Sequence, residues 1–160
     1  MPDRIISNHT VWAVAPAAFA CAAISGPWLQ THPHFALALA LQRGFALVCH
    51  QRPERSFWLF GAPVAVCARC LGIYIGAAIG LLLRTSRQLA LRILIVVAAI
   101  NALDAAAELA GLHGNWMFVR FLLGLLLGAA GALLIASSTS ENLLPAEAGS
   151  GQEKCAETLA

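Results

Sequence analysis

The chain has 160 residues, of which 59% are hydrophobic and only 11% are charged, whereas a soluble domain usually carries about 25% charged residues. So few charges argue against a water-soluble domain, and a net charge of +2 without a basic cluster argues against a nucleic-acid partner. The composition predicts a single all-α domain, a polytopic membrane helical bundle whose partner is the lipid bilayer.

Four apolar runs are each long enough to cross the bilayer, which takes about 20 residues. They cover residues 11–30, 64–83, 89–111 and 117–137 of a membrane domain that spans residues 1–137. An alternative for the first run is a signal peptide cleaved after Ala18-Phe19-Ala20, but Pro27 and the polytopic remainder favour a retained helix.

Three further segments complete the predicted order. Residues 33–49 are apolar but are interrupted by Gln42 and Arg43, which predicts a short interfacial or half-buried helix. Residues 49–70, named here the cysteine loop, are rich in Arg and Cys. Residues 138–160 predict a disordered polar tail because they are rich in Ser, Glu, Ala and Gly.

Glycines recur at four-residue spacing in two spans, so that they share one face of each helix. They are Gly72, Gly76 and Gly80 in the second span, and Gly124 and Gly128 in the fourth. A face without side chains lets two helix backbones approach closely. We expect these glycines to pack helices within one chain, and a homo-oligomer is the alternative.

Orientation follows from basic residues in the short loops. The connection between the second and third spans carries three of them, Arg84, Arg87 and Arg92. We therefore expect this connection and both termini in the cytoplasm, and the cysteine loop on the outer face together with the turn at residues 111–116. If residues 33–49 also cross, the cysteine loop lies inside, where its own arginines satisfy the same rule.

Three of the five cysteines, Cys49, Cys67 and Cys70, belong to the cysteine loop. Sixteen residues separate His50 from Cys67, a spacer typical of the two halves of a zinc site. On the first turn of a helix, Cys67 and Cys70 share a face near the positive end of the helix dipole, which favours thiolate. The four side chains predict a tetrahedral metal site, with zinc as the expected ion and iron as an alternative.

Adjacent Cys49 and His50 reach one ion only at a helix end or turn, because neighbouring helical residues point about 100° apart. Two other interpretations stay open: a thiol–disulfide protein with Cys67 and Cys70 as the active pair, and an inert cysteine cluster. A c-type haem is not expected because Leu71, not His, follows the second Cys, and nothing indicates a nucleotide.

The third span carries Asn101, Asp104 and Glu108, which the spacing places on one helix face. Carboxylates within a span usually face the bundle interior and pair, and Arg120 in the fourth span is the expected partner. Other polar groups are expected at the same membrane face: Gln51, Arg52, Glu54, Arg55, Ser56, Arg69, His113 and Asn115.

The carboxylates allow a structural and a catalytic interpretation. They form either an ion pair that locks two helices or part of a site, in which Asp104 or Glu108 is the candidate general base for a zinc-bound water that hydrolyses a lipid-linked substrate. A small transporter subunit is a further alternative. The sequence leaves open whether the protein is an enzyme.

Three motifs carry a family resemblance: Cys49-His50-Gln51, Arg55-Ser56-Phe57, and the run from Cys67 through Ala68, Arg69, Cys70, Leu71, Gly72 and Ile73 to Tyr74. They resemble the signature of a prokaryotic membrane-protein family of unknown function, DUF 2085, over about a quarter of the chain. Asp104, Arg120, Gly124 and Gly128 resemble later positions of that family. The resemblance implies a small multi-span protein of a prokaryotic plasma membrane and supplies no reaction.

Overall fold

The computed structural model describes residues 3–112, 114 and 116–141, with side chains described for 11–112, 114 and 116–138. Within this range the fold is all-α, as the sequence predicts, apart from one short hairpin. Its helices are α1 Asp3–Gln30, α2 Phe35–Ala46, α3 Ala68–Leu82, α4 Arg87–Leu109 and α5 Met117–Glu141. A 3₁₀ turn, Pro53–Arg55, and two short strands, β1 Trp58–Leu59 and β2 Ala62–Pro63, lie in the cysteine loop.

The number of membrane-length helices differs from the expected four. Three described segments are long and apolar enough to cross, Val11–Gln30 of α1, α4 and α5. Helix α3 has only 15 residues, which rise about 22 Å against roughly 30 Å of hydrocarbon. Helix α2, with 12 residues, is shorter still, and it buries only Ala38 and Phe45.

The helix within the predicted span 64–83 begins only at Ala68, because the residues before it are engaged elsewhere. The Val64 N–H donates to the Phe57 carbonyl at 2.8 Å, and the Ala65 N–H donates to the Ala23 carbonyl at 3.4 Å. Backbone bound to distant carbonyls does not enter a helix, whose N–H groups bond to the carbonyl four residues earlier. The helix therefore begins after Cys67, which caps it with an extended backbone.

Helices α3 and α5 run parallel and in close contact along their glycine faces. A Cβ at Gly76 would overlap the carbonyl of Leu125, and one at Gly128 would overlap the carbonyl of Ile73. The same holds for the rest of both ladders, Gly72, Gly80 and Gly124. The two glycine ladders thus face each other within one chain, and the absent side chains allow backbone-to-backbone packing.

Helix α1 packs antiparallel to α3 and supports the other side of the core. The Phe19 ring stacks on Tyr74 with centroids 5.6 Å apart and meets Phe45 of α2 edge-on at 6.0 Å. Nearer the end of α1, Gly26 lets the Ala65 methyl lie 3.3 Å from the position a Cβ would take. The backbone before α3 therefore contacts α1 at Ala23. Ala23 lies seven residues before Gln30, the last residue of α1, which corresponds to about 10 Å along the helix axis.

A β-hairpin closes the cysteine loop. Trp58 pairs with Pro63 and Leu59 with Ala62, and the two turn residues Phe60 and Gly61 have φ of 52° and 80°. Two positive φ values are the geometry of the tight hairpin turn that matches strand twist. The hairpin exposes the Trp58 and Phe60 side chains, and tryptophan favours the membrane–water interface.

Helix α5 extends beyond the predicted end of the membrane domain. It continues to Glu141, so the first residues expected in the polar tail are helical because no Gly or Pro interrupts the chain there. The rest of the predicted tail, with Cys155, lies outside the described residues.

Candidate metal centre and arginine cavity

Three cysteine side chains meet where the cysteine loop joins α3. Cys49 follows the end of α2, Cys67 precedes the first residue of α3, and Cys70 lies in its first turn. Their sulfur atoms all lie within 4.8 Å of one another. Cys49 is buried, Cys67 and Cys70 are half-buried, and all three are free thiols.

The Cys49 sulfur lies in surroundings that favour its thiolate form. Hydrogen bonds from the Cys67 and Cys70 thiols, and a bond of 3.2 Å from the backbone N–H of Cys67, hold the pKa of Cys49 far below its usual value. Burial acts in the opposite direction and is outweighed. A thiolate is both the nucleophilic and the metal-binding form of cysteine.

The spacing of the three sulfurs suits a tetrahedral ion. With Zn–S bonds of about 2.3 Å, ligand sulfurs lie about 3.8 Å apart. The sulfurs here, within 4.8 Å of one another, need to approach by about one ångström or less. The three side chains thus fit a thiolate-rich metal site that leaves one tetrahedral position for another ligand.

His50 is not part of this group. Among the described residues the metal-ligand cluster holds only the three cysteines, and the His50 side chain is exposed. Helix α2 ends at Ala46, and the chain beyond it directs Cys49 inward and His50 outward. His50 nevertheless lines the cavity beside the cysteines.

Gln51 holds the loop against the two segments that carry the cysteines. Its backbone adopts a φ of +48°, a strained value for a residue other than glycine. Its side-chain amide donates to the Gln42 carbonyl of α2 at 2.6 Å and to the Ala65 carbonyl before α3 at 2.8 Å. Gln51 is therefore a positioning residue that sets the distance between Cys49 and Cys67.

Ser56 shapes the next turn of the loop. Its side chain is buried, and its hydroxyl donates to the Arg52 carbonyl at 3.1 Å. The Arg55 N–H donates to the same carbonyl at 3.0 Å, and Pro53 begins the 3₁₀ turn between them. This compact turn directs both Arg52 and Arg55 to the cavity.

The polar residues of α4 meet arginines from three different elements. Asp104 pairs with Arg69 of α3 at 2.5 Å. Glu108 pairs with Arg120 of α5 at 2.5 Å and with Arg55 of the cysteine loop at 2.6 Å. Sequence reasoning expected Arg120 as the partner of both carboxylates, and it missed Arg55 and Arg69 as ion-pair partners.

Asn101 completes the polar face of α4. Its amide donates to the Val97 carbonyl at 3.0 Å and across to the Leu123 carbonyl of α5 at 3.2 Å.

The position of Arg69 in the sequence indicated that it lies at the site, since it falls between Cys67 and Cys70 on the first turn of α3. Nothing local indicated the contact of Arg55 with Glu108.

A cavity of about 230 Å³ opens beside the sulfurs. It is named here the arginine cavity because four guanidinium side chains line it, with the three cysteines and His50. They are Arg52, Arg55, Arg69 and Arg120. The predicted site residues Asn115 and His113 lie outside the described residues, and Cys21 is exposed on α1, away from the cluster.

The fold and this site define a class: small helical membrane proteins with a three-cysteine cluster and a basic cavity at one end of the bundle. Within that class the chain belongs to the family described as predicted membrane protein, DUF2085, whose family model matches residues 49–134. The matched segment runs from Cys49 into the second half of α5 and so contains every residue of the cluster and the cavity except Val48.

Two archaeal relatives extend the comparison. The chain is 33% identical over 99 residues to an uncharacterised protein of Methanocaldococcus jannaschii, covering 58% of this chain and 64% of that protein. It is 33% identical over 97 residues to an uncharacterised protein of Methanothermobacter thermautotrophicus, covering 56% of this chain and 86% of that one. The chain thus spans just under two thirds of the first relative. No solved structure matches the chain.

Proposed function

We propose that this protein is a membrane zinc-binding protein whose sulfur ligands are Cys49, Cys67 and Cys70. The observation that carries the proposal is that the three sulfur atoms, which come from opposite ends of the cysteine loop, lie within 4.8 Å of one another. The lowered pKa of Cys49 supports it, because metals bind the thiolate. Zinc is the proposed ion because sulfur-rich tetrahedral sites suit zinc, although they also suit iron.

His50 is the proposed fourth ligand. It follows Cys49 directly, its side chain is exposed, and it lines the same cavity, so a rotation about its side-chain bonds is the movement that would bring it to the ion. The carboxylates are poorer candidates, because Asp104 and Glu108 are both held by arginines. Those ion pairs also weaken the case for either carboxylate as a general base.

The proposed location is the plasma membrane, with the cysteine loop on its outer face. Arg84, Arg87 and Arg92 support this orientation because basic short loops remain in the cytoplasm. An outer face exposes thiols to an oxidising environment, in which disulfides persist. Bound zinc would protect the three thiolates there, and the same cysteines without metal would be a redox group.

The experiment is metal analysis of detergent-purified, reduced protein. About one zinc per chain is expected, lost in Cys67→Ser/Cys70→Ser and retained in Cys21→Ser, whose thiol is exposed on α1. His50→Ala should weaken zinc affinity by more than about a hundredfold, because it removes a direct ligand, and loss of a group that only supports a ligand already costs about ten- to a hundredfold. Unchanged affinity would assign the fourth position to water.

An absence of metal in the wild-type protein would overturn the proposal. The redox alternative then takes its place, because the thiolate-favouring position of Cys49 beside Cys67 and Cys70 also suits thiol–disulfide exchange. Thiols would be counted before and after mild oxidation. A thiol–disulfide protein should lose two thiols in the wild type and none in Cys67→Ser/Cys70→Ser.

A further inference from the structure

We propose that the arginine cavity binds the phosphate group of a single-chain or two-chain lipid, one hydrocarbon chain of which lies in a groove between α1 and α2. The proposal concerns a ligand and not the metal, and it does not depend on zinc being bound. It rests on the charges of the cavity, on buried donors without partners, and on an apolar groove that begins at the cavity wall.

The lining of the cavity is net positive. Four guanidinium groups line it, and Asp104 and Glu108 pair with three of them in the ion pairs described above. Glu54 is exposed and does not line the cavity. The Cys49 thiolate lines the same cavity, so the excess is about one positive charge. This excess favours an anionic ligand such as a phosphate monoester, which carries about −1.5 to −2 at neutral pH.

Buried donors point to a missing acceptor. Arg120 is only 5% exposed, and its Nε atom has no hydrogen-bond partner. The Nε atom of Arg69 is likewise buried without a partner, and both side chains line the cavity. Guanidinium groups bind phosphate oxygens through paired N–H donors, so a phosphate between Arg69 and Arg120 would satisfy the donors that the protein leaves unpaired.

An apolar groove of about 570 Å³ lies between α1 and α2. Phe19 and Ala22 line it from α1, and Leu37, Leu41 and Gly44 line it from α2. A Cβ at Gly44 would meet no atom within 4 Å, so the groove is open along that part of α2. Its wall offers almost only carbon, which suits a hydrocarbon chain.

Val48 borders both spaces. It lines both the α1–α2 groove and the arginine cavity, and Cys49 follows it directly. A ligand with a phosphate in the cavity would therefore leave the cavity past Val48 and enter an apolar groove. This shared border favours a lipid over free inorganic phosphate, which would use the cavity alone.

The test measures binding to detergent-purified protein of three probes: lysophosphatidic acid, lysophosphatidylcholine with the same chain, and inorganic phosphate. Lysophosphatidic acid should bind at least tenfold more tightly than either of the others. Its phosphate monoester fits the cavity charge, its chain fits the groove, and each control lacks one of these features.

Two variants separate the two halves of the ligand. Arg52→Gln removes one of the four positive charges that line the cavity, at an exposed position, and should weaken lysophosphatidic acid binding about tenfold through the lost attraction for the phosphate. Gly44→Leu fills the open groove and should weaken lysophosphatidic acid binding but leave inorganic phosphate binding unchanged. Arg84→Gln, an exposed residue between α3 and α4, is the matched control and should change neither.

Equal binding of lysophosphatidic acid and lysophosphatidylcholine would overturn the proposal, because the cavity would then not recognise the phosphate. Binding of inorganic phosphate as tight as that of the lipid, insensitive to Gly44→Leu, would overturn the lipid assignment. Zinc content is measured on the same samples. A protein without zinc that still binds lysophosphatidic acid would contradict the metal proposal alone, and a protein with zinc that does not bind it would contradict the lipid proposal alone.

Discussion

The backbone N–H of Cys67 donates a hydrogen bond to Sγ of Cys49 at 3.2 Å, although the two residues are 18 positions apart in the chain. The bond joins the segment that leaves α2 to the residue that caps α3. The Gln51 side chain bridges the same two segments through the Gln42 and Ala65 carbonyls. The separation of the sulfurs is therefore set by contacts at both ends of the cysteine loop.

Gln51→Ala should loosen the cysteine cluster. The change removes two side-chain hydrogen bonds and leaves the Ala65 and Gln42 carbonyls without that donor, at a cost of about 1–3 kcal/mol. The expected result is a lower melting temperature and faster labelling of Cys49 by a maleimide in metal-free protein. Gln88→Ala, an exposed glutamine in α4, should behave as wild type, and equal labelling rates for both variants would contradict the bridging role.

Gly76→Ala should destabilise the bundle by about 1–3 kcal/mol, the usual range for overpacking. The added methyl group would meet the Leu125 backbone of α5, and backbone cannot move aside as a flexible side chain does. The matched control is Gly131→Ala in α5, where the new methyl group would meet nothing within 4 Å. Thermal unfolding in detergent should lower the midpoint for Gly76→Ala alone; a similar loss for both variants would refute the packing argument.

Glu108→Gln and Arg55→Gln should differ in their effect on stability, although both residues belong to the same ion-pair cluster. Removing the Glu108 charge leaves the guanidinium of Arg120, whose side chain is 6% exposed, without its anion, which costs about 3–5 kcal/mol. Removing Arg55, whose side chain is 37% exposed, should cost no more than about 1 kcal/mol. Chemical unfolding of both variants measures the difference, and equal losses would show that burial does not govern this cluster.

The cysteine loop and the turn after α4 should be labelled from one side of the membrane, and the turn after α3 from the other. Phe60→Cys and Leu112→Cys place thiols at exposed positions of the first two segments, and Ser86→Cys places one before α4. In a Cys21→Ser/Cys155→Ser background, a membrane-impermeant maleimide applied to intact cells should label positions 60 and 112 and not 86. Labelling of 86 alone would reverse the proposed orientation.

The periodicity of the sequence was sufficient to predict which residues share a helix face, because that relationship depends only on local geometry. The spacing of Asp104 and Glu108 aligned them on one face of α4, and the three-residue spacing of Cys67 and Cys70 aligned them on the first turn of α3. These relationships follow from helix geometry alone. The apolar runs likewise predicted the long helices to within a few residues at most ends.

The features that could not be predicted depend on partners far away in the chain. The start of α3 is delayed because Ala65 bonds to Ala23 and to Gln51, and hydropathy contains no information about either contact. The pairing of Arg55 with Glu108 joins residues separated by the whole of α3 and most of α4. The outward position of His50 depends on how α2 ends, which composition does not determine.

Helix α3 has a consequence for how the protein is made. It is the short helix whose glycine face rests on the backbone of α5, and its contacts reach Ala132, about fifty residues beyond its own last residue. At synthesis rates of about 5–20 residues per second, α3 waits about 2.5–10 s for that partner to emerge. During this interval the glycine face of α3 has no α5 backbone to pack against, so this helix pair can form only after the last helix has been synthesised.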